Sequence, residues 1–252
     1  MNKPPLALQT ASRTHVGSVR EINEDRHLAR PDLGLWVVAD GMGGHDQGDF
    51  ASELIVSELG RIPRPESARA LLQSVDQALG RCHRALVERA AGKDDLCGST
   101  VVALLVFEQD FAVVWAGDSR LYRPRHGRLQ QVTRDHSYVE ELVADGKLTP
   151  AAAKNHPLVN QITRAIGADQ ALALDVESDS LDEHDLFLLC SDGLSGMIDD
   201  QTIQTILAEP DLEAAADQLI NSALAAGGRD NITLLLIRTN GSGDVEKTLP
   251  GV

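Results

Sequence analysis

Four acidic residues lie where apolar, strand-like segments of the sequence begin or end. Asp40, Asp118 and Asp192 each follow such a segment, and Asp230 precedes one. Runs of apolar, partly β-branched residues bounded by turn residues are typical of buried strands. If these strand ends meet, the carboxylates raise one another's pKa values, and their charges are costly to bury unless cations lie among them. Hard oxygen ligands of this kind favour Mg²⁺ or Mn²⁺.

The stretch around Asp40 is the most informative of the four. An apolar segment from 35 to 39 leads into Asp40, and Gly41, Gly43 and Gly44 follow it. Glycines allow close backbone approaches that a Cβ would prevent. An Asp-Gly pair is also a common turn signal with no chemistry behind it. The recurrence of an acid beside a strand at three other places favours a chemical role.

Hydrophobic periodicity predicts the elements that position these acids. The predicted strands span residues 6–12, 27–30, 35–39, 98–107, 111–116, 120–124, 129–133, 174–178, 185–191 and 232–237. The predicted helices span residues 46–59, 68–86, 137–145, 199–208 and 212–226. We expect the four strands between 98 and 133 to form one meander. Because strands come in runs separated by helix pairs, an α+β sandwich is favoured over a doubly wound sheet.

The segment from 149 to 167 is a candidate lid, within a flap insertion expected near residues 137–167. The segment is polar, partly helical in pattern and interrupted by Pro157. Functional loops on a rigid scaffold commonly have those features. The alternative role is structural, because Ile162 and Ile166 are spaced four apart and could pack one helical face on the core.

Composition argues against two classes of partner. The 23 Lys and Arg residues against 38 Asp and Glu residues give a net charge of −15, whereas nucleic-acid binding normally needs a basic patch. The longest apolar run, 101–107, is too short to cross a bilayer, and no apolar segment of a signal peptide follows Met1–Pro5. We therefore expect a cytoplasmic protein with no nucleic-acid partner and no membrane insertion.

Chain length and cysteine usage predict one intracellular domain. Cys82, Cys97 and Cys190 lie in apolar stretches without paired metal-ligand spacing, which favours buried, reduced thiols. A chain of 252 residues with 42% hydrophobic residues can form one large core. We expect a single catalytic domain over 1–240, a flexible tail over 241–252, and a monomer.

Seven short segments occur in the order found in the metal-dependent type 2C serine/threonine protein phosphatases, and the chain resembles their compact bacterial members. The segments are Arg20–Asp25, Val38–Gly44, Gly98–Thr100, Ala116–Arg120, Asn160–Gly167, Ser191–Leu194 and Arg229–Thr233. Each is weak alone, but seven in order over nearly the whole chain are specific. The resemblance implies a four-layer αββα sandwich, with two central antiparallel sheets, flanking helix pairs and metals in a cleft at one edge.

The resemblance also implies the metal ligands. Asp40 would bridge two metal ions, and Gly41 would lend one of them its backbone carbonyl oxygen. Glu24, Asp192 and Asp230 would complete the second site.

Three further roles follow from the same resemblance. Asp25 would hold metal-bound waters, and Asp118 with Asp192 would bind a third, weaker metal. Arg20 would grip the phosphate, which suits the bidentate geometry of a guanidinium.

The implied activity is hydrolysis of phosphoserine and phosphothreonine on proteins. Two tightly bound Mn²⁺ or Mg²⁺ ions would activate a water, without a phospho-enzyme. Met42 stands where many eukaryotic relatives have a histidine proposed as general acid, so the proton donor is unassigned. His45 and His136 are candidate substitutes, although a lone histidine more often packs or lies on the surface. The consecutive residues Asp135, His136 and Ser137 cannot face one another as a catalytic triad requires.

The implied partners are phosphorylated proteins, including a bacterial Ser/Thr kinase and its substrates. The setting is either a general kinase pathway or a type VI secretion kinase switch. Two other functions stay open: a catalytically silent module that binds phosphoproteins, and a hydrolase of small phosphoesters. Every implied ligand is present, which disfavours the silent module.

Overall fold

The strands and helices follow the hydrophobic patterns of the sequence closely. The computed structural model describes residues 8–43, 47–92, 96–153, 156–168 and 171–240. Its strands are β1 (Leu8–His15), β2 (Asp25–Arg30), β3 (Leu35–Gly43), β4 (Cys97–Ser99), β5 (Val101–Phe107), β6 (Asp110–Ala116), β7 (Arg120–Arg125), β8 (Arg128–Gln131), β9 (Asp175–Ser180), β10 (Leu186–Cys190) and β11 (Ile232–Thr239). Its helices are α1 (Gln47–Gly60), α2 (Ala68–Ala90), α3 (Tyr138–Ala144), α4 (Pro150–Ala153), α5 (Asp192–Ser195), α6 (Asp200–Ile206) and α7 (Leu212–Ala225).

The strands form two antiparallel sheets. One has the order β1-β11-β10-β7-β8, and the other has the order β2-β3-β5-β6-β9, with β4 paired to the far end of β3. Side chains of β3 alternate between two apolar cores, as the period of a strand requires. Trp36 and Val38 point between the sheets, whereas Val37 and Ala39 pack with α1 and α2. A third core joins the first sheet to α5, α6 and α7, so the expected four-layer α+β sandwich is confirmed.

The expected meander over 98–133 is wrong. β5 and β6 lie in one sheet, whereas β7 and β8 lie in the other. The chain leaves the sheet of β5 and β6 at Gly117, whose φ of 111° suits glycine and whose added Cβ would lie 2.6 Å from the Thr100 Cβ. Strand and turn signals are local, so they do not say which sheet the next strand joins.

Asp40 lies inside a strand rather than at its end. β3 continues to Gly43 and pairs there with β4, so strand residues flank the acid on both sides. The predicted strand 98–107 is interrupted at Thr100, whose backbone N–H donates to the Asp40 carbonyl oxygen at 2.8 Å. The short helix α5 was not predicted, because four residues give no periodicity.

The flap region is anchored at both of its ends. Ser137 caps α3, and isolated bridges join Ser137 to Ile162 and Ser99 to Ile166. Residues 162–167 are therefore not helical, and Ile162 and Ile166 do not share a helix face. Ile166 is completely buried, so the alternative structural role holds for this end of the segment. Only the more exposed residues that precede Ile166 in the segment remain candidates for a lid.

A buried arginine ties the two sheets together. Arg123 of β7 is 2% exposed, and its Nε donates to Asp185 Oδ1 at 3.1 Å. Its other nitrogens donate to Asp179 Oδ2 at 3.0 Å and to the Ser180 carbonyl oxygen at 2.9 Å, both in β9 of the other sheet. The guanidinium lies 4.9 Å from the Phe111 ring centroid. This ion pair fixes the edge strand β9 against the opposite sheet.

Three other expectations concern the cysteines, membrane-spanning helices and the C-terminal tail. Cys82, Cys97 and Cys190 are buried and form no disulfide, as predicted. Among the described helices, none is long and apolar enough to cross a membrane. The predicted tail, 241–252, lies outside the described residues.

Candidate metal centre

The fold brings the predicted acids to one edge of the sandwich. Register pairs Asp25, the first residue of β2, directly with Asp40 of β3. Asp118 follows β6, Asp192 begins α5 after β10, and Asp230 precedes β11. The charges of the other four all raise the pKa of Asp40, and the side chains of Asp192 and Asp40 are hydrogen-bonded. Strands from both sheets therefore build one carboxylate cluster.

Burial and mutual repulsion keep these carboxylates from ionising together. Burial raises the pKa of Asp25 to about 7, with further contributions from the charges of Asp192 and Asp230. Burial, followed by the charge of Asp192, raises the pKa of Asp118 to about 8. Burial and the neighbouring acids raise the pKa of Asp40 well above its ordinary value. At neutral pH the fully ionised cluster therefore needs cations.

Hydroxyl groups fix the backbone and side chains of the cluster. Thr100 Oγ1 accepts from the Asp40 backbone N–H at 3.2 Å and lies 2.7 Å from Ser119 Oγ, so it links Asp40 to the residue after Asp118. Ser191 Oγ donates to Asp25 Oδ2 at 2.8 Å. These contacts fix the Asp25 side chain and the Asp40 backbone, which helps to keep the site rigid.

Glu24 lies at the N-terminus of α1. Its carboxylate accepts from the Asp49 backbone N–H, and a Cβ on Gly48 would lie 2.5 Å from its Oε1. Glycine is therefore required for this approach. Burial is the largest effect on the pKa of Glu24, which is raised. The Glu24 backbone is also held, because its N–H donates to Asn231 Oδ1 at 2.8 Å and its carbonyl oxygen accepts from Ser52 Oγ at 2.5 Å.

Arg20 stands at the mouth of the cluster. Its Nη2 donates to Asp230 Oδ2 at 2.8 Å, while 54% of its side chain is exposed. The hydrogen bond to Asp230 is the main cause of its raised pKa. The guanidinium keeps unused N–H donors towards solvent, where an anion could approach. Asp230 thus lies between Arg20 and the other acids of the cluster.

The donor set fits a divalent ion that keeps much of its water. Among the residues that the structure describes, no group of three or more His, Cys, Asp or Glu side chains is arranged to hold a metal ion unaided. Mg²⁺ takes oxygen ligands and usually retains several waters, so a protein site for it need not enclose the ion. A carboxylate cluster whose ionisation is opposed by its own charges supplies the driving force for such an ion. The residues present therefore fit a partly hydrated Mg²⁺ or Mn²⁺ ion rather than a metal whose ligands all come from the protein.

Comparison with known proteins decides the family. Residues 13–233 match the family described as Protein phosphatase 2C. The chain belongs to that family. It is 36% identical over 239 residues to serine/threonine protein phosphatase PstP of Mycobacterium tuberculosis, covering 94% of this chain and 46% of that protein. The chain thus spans about half the length of that curated relative.

Solved structures of this phosphatase 2C family share the fold. PppA, described as a key regulatory component of T6SS in Pseudomonas aeruginosa, superposes with a TM-score of 0.86 at 41% identity, covering 92% of this chain and 97% of that one. The catalytic domain of PstP in complex with 2 manganese ions superposes with a TM-score of 0.83 at 33% identity, covering 94% and 100%. The agreement extends over nearly all of this phosphatase 2C domain.

Neither candidate histidine is assigned as proton donor in this phosphatase 2C family member. His45 lies outside the described residues. His136 is 6% exposed, its Nδ1 accepts from the Gly117 backbone N–H at 3.2 Å, and its Nε2 lies 3.1 Å from Asp175 Oδ2. Burial is the main cause of its lowered pKa. Both ring nitrogens therefore already have protein partners.

The consecutive acid, histidine and serine do not form a triad, as expected. The Asp135 carboxylate accepts from Arg120 Nε at 2.9 Å and from Arg120 Nη2 at 2.7 Å. The Ser137 hydroxyl accepts from the Glu140 backbone N–H at 3.4 Å, at the start of α3. Asp135 therefore pairs with Arg120, whereas Ser137 caps α3.

Sequence reasoning missed the groups that position the acids. These residues are Ser52, Thr100, Ser119, Ser191 and Asn231. Several fall inside the short segments quoted above, next to an acid. Small polar residues are common everywhere in proteins, so only their adjacency to predicted ligands could have indicated a role.

Proposed function

We propose that this chain is a serine/threonine protein phosphatase that uses Mn²⁺ or Mg²⁺. The observation that carries the proposal is the cluster of Asp25, Asp40, Asp118, Asp192 and Asp230, whose own charges oppose its ionisation. Membership of the phosphatase 2C family and the manganese-bound PstP structure support it. The presence of every implied ligand argues against a catalytically silent module.

We propose these roles for the chain's own residues. Asp40 would hold two tightly bound ions, with the Gly41 carbonyl oxygen as a ligand of one and with Glu24, Asp192 and Asp230 as ligands of the other. When bound, the ions lower the pKa of a shared water and stabilise charge on the phosphoryl oxygens.

The remaining roles concern water and phosphate. Asp25, held by the Ser191 hydroxyl, would orient waters at the metal site. Asp118, on the loop after β6, contributes to a third and weaker site. Arg20 binds the phosphate of the substrate through its solvent-facing N–H groups, while its contact with Asp230 fixes its direction.

Metal removal and replacement of Asp40 provide the first test. Hydrolysis of a phosphothreonine peptide should require added Mn²⁺ or Mg²⁺ and stop on chelation, and Asp40→Asn should reduce turnover to background. Mn²⁺ should raise the melting temperature of the wild type, because it binds only the folded state; about 2.7 kcal/mol is expected at a hundred times the Kd. Full activity in chelator, or an unmoved melting curve, would contradict the proposal.

Arg20 is tested by a charge-conserving change. Arg20→Lys should lower kcat/KM for the phosphopeptide roughly tenfold or more, because an ammonium cannot reproduce the bidentate contact. Arg30→Lys is the matched control, since Arg30 ends the same strand, β2, that begins with Asp25. Equal effects of the two changes would exclude a specific role for Arg20.

The physiological setting is proposed from the same family relationship. A bacterial Ser/Thr kinase and its substrates are the proposed partners, in a general kinase pathway or in a type VI secretion switch. We also propose that the chain acts as a cytoplasmic monomer, in keeping with buried cysteines that form no disulfide.

A further inference from the structure

His136 lies between the loop that carries Asp118 and the returning end of the flap region. Its backbone N–H donates to the Gly117 carbonyl oxygen at 2.9 Å, and its own carbonyl oxygen accepts from the Thr163 N–H at 2.8 Å. The next residue, Ser137, bridges to Ile162. One residue therefore connects two segments that are 46 positions apart along the chain, at Gly117 and Thr163.

The imidazole ring repeats this connection with its two nitrogens. Nδ1 accepts from the Gly117 backbone N–H at 3.2 Å, so the ring of His136 holds the peptide group before Gly117, and its backbone N–H holds the peptide group after it. Nε2 lies 3.1 Å from Asp175 Oδ2 and 3.3 Å from Arg164 Nη1. Because Nδ1 is an acceptor, Nε2 carries the hydrogen and donates it to Asp175.

The surroundings of the ring prevent it from turning. It stacks on Trp115 with centroids 5.9 Å apart and planes inclined by 12°. Trp115 is itself fixed, because its Nε1 donates to the Arg134 carbonyl oxygen at 2.8 Å, and it pairs with Asp175 across β6 and β9. Stacking and hydrogen bonds thus give the ring one orientation.

Gly117, whose N–H and carbonyl oxygen both contact His136, immediately precedes Asp118. Gly117 adopts a φ of 111°, where the backbone has no strand partner to define its direction. The Ser119 hydroxyl, 2.7 Å from Thr100 Oγ1, fixes the other side of Asp118. Without the Nδ1 acceptor, a buried Gly117 N–H would lack a partner, and the loop would move to find one.

We propose that His136 is a positioning residue for Asp118, and that its Nδ1, by accepting from the Gly117 N–H, sets the affinity of the weak divalent-cation site. The proposal rests on the function proposed above only for the identity of that site. Groups that orient a metal ligand from behind typically change metal affinity or activity by about 10–100-fold when they are removed.

Two substitutions separate the two ring nitrogens. In His136→Asn the amide oxygen takes the place of Nδ1, so the contact with Gly117 is kept and the contact with Asp175 is lost. In His136→Gln the amide reaches the place of Nε2, so the contact with Asp175 is kept and the contact with Gly117 is lost. The two variants remove the ring equally, and therefore each is the control for the other.

The measurement is a calorimetric Mn²⁺ titration of each protein, with melting temperatures recorded in chelator. We expect His136→Asn to bind the weakest ion within about threefold of the wild type, and His136→Gln to bind it at least tenfold more weakly, with the tight ions unchanged in both. Equal losses, equal retention, or a loss confined to His136→Asn would overturn the proposal. A wild type that binds only two ions would overturn it as well.

A second variant guards against misfolding. If His136→Gln melts far below His136→Asn in chelator, Asp175→Asn removes the same outer contact without touching Nδ1, and it must keep the weak-site affinity within about threefold. A larger loss there would overturn the proposal. The outcome is independent of the proposed activity, because a wild type that binds three ions but hydrolyses no phosphopeptide would refute the function and leave the role of His136 intact.

Discussion

Asp25→Asn offers a sharp test of the electrostatic description of the cluster. The Asp25 carboxyl group is 2% exposed and its pKa is raised to about 7 from an ordinary value of 3.8. The folded state therefore holds a proton that the unfolded chain has released. The stability that this proton contributes is greatest below pH 4 and is lost as the pH rises towards 7. Metal-free protein should thus become less stable with increasing pH.

The size of the effect follows from the two pKa values. The gap between 3.8 and about 7 corresponds to about 4 kcal/mol between acidic and alkaline limits. Asparagine has no charge to bury, and its amide oxygen can still accept from Ser191 Oγ. In chelator, Asp25→Asn should therefore gain about 4 kcal/mol relative to the wild type between pH 4 and pH 8, or about 10 °C in melting temperature.

The assay is urea unfolding in chelator at several pH values. The quantity of interest is the difference in unfolding free energy between variant and wild type at each pH, because titrating groups remote from Asp25 cancel in it. Asp76→Asn, at an exposed position of α2, corrects for the general loss of one negative charge. A difference that stays flat from pH 4 to pH 8 would refute the reasoning. Saturating Mn²⁺ should reverse the trend, since the ions bind the ionised cluster.

Three further outcomes are expected. In urea unfolding, Gly117→Ala should lower the free energy of unfolding by about 3 kcal/mol or more, because Gly117 has a φ of 111° and an added Cβ would make a contact of 2.6 Å. Gly127→Ala should lower it by only about 1 kcal/mol, because Gly127 has a φ of 72° and open space around it. Asp185→Ala should lower the free energy of unfolding by about 3–5 kcal/mol, because it leaves the buried Arg123 guanidinium without its main partner. The exposed Asp182→Ala should lower it by less than about 1 kcal/mol, and similar losses for the two variants in thermal unfolding would contradict this contrast. Leu158→Ser, on the exposed part of the flap region, should lower kcat/KM for phosphoproteins several-fold and spare a small aryl phosphate, and equal losses on both substrates would indicate a structural role.

Lys154 and Asn155, two polar residues of the predicted lid, lie outside the described residues. Leu158 replaces them as a probe because it is exposed and described. The buried end of the segment at Ile166 supports the fold and is unsuitable for the test.

The sequence alone determined the element types and the candidate ligands. The apolar run of β3 and the helical spacing of α1 and α2 depend on neighbours a few residues apart, so local patterns predict them well. The short segments around Asp40, Asp118, Asp192 and Asp230 indicated a metal-dependent phosphatase of type 2C, because seven segments in one order carry more information than any single motif.

The tertiary structure decided which groups meet. Nothing local shows that the chain changes sheets at Gly117, since both sheets accept the same kind of strand. The pairing of Asp25 with Asp40 is a matter of register, and the contact of His136 with Gly117 joins residues that no periodicity relates. The raised pKa values of the acids likewise arise from burial and from charges brought together by distant strands, so they exist only in the folded chain.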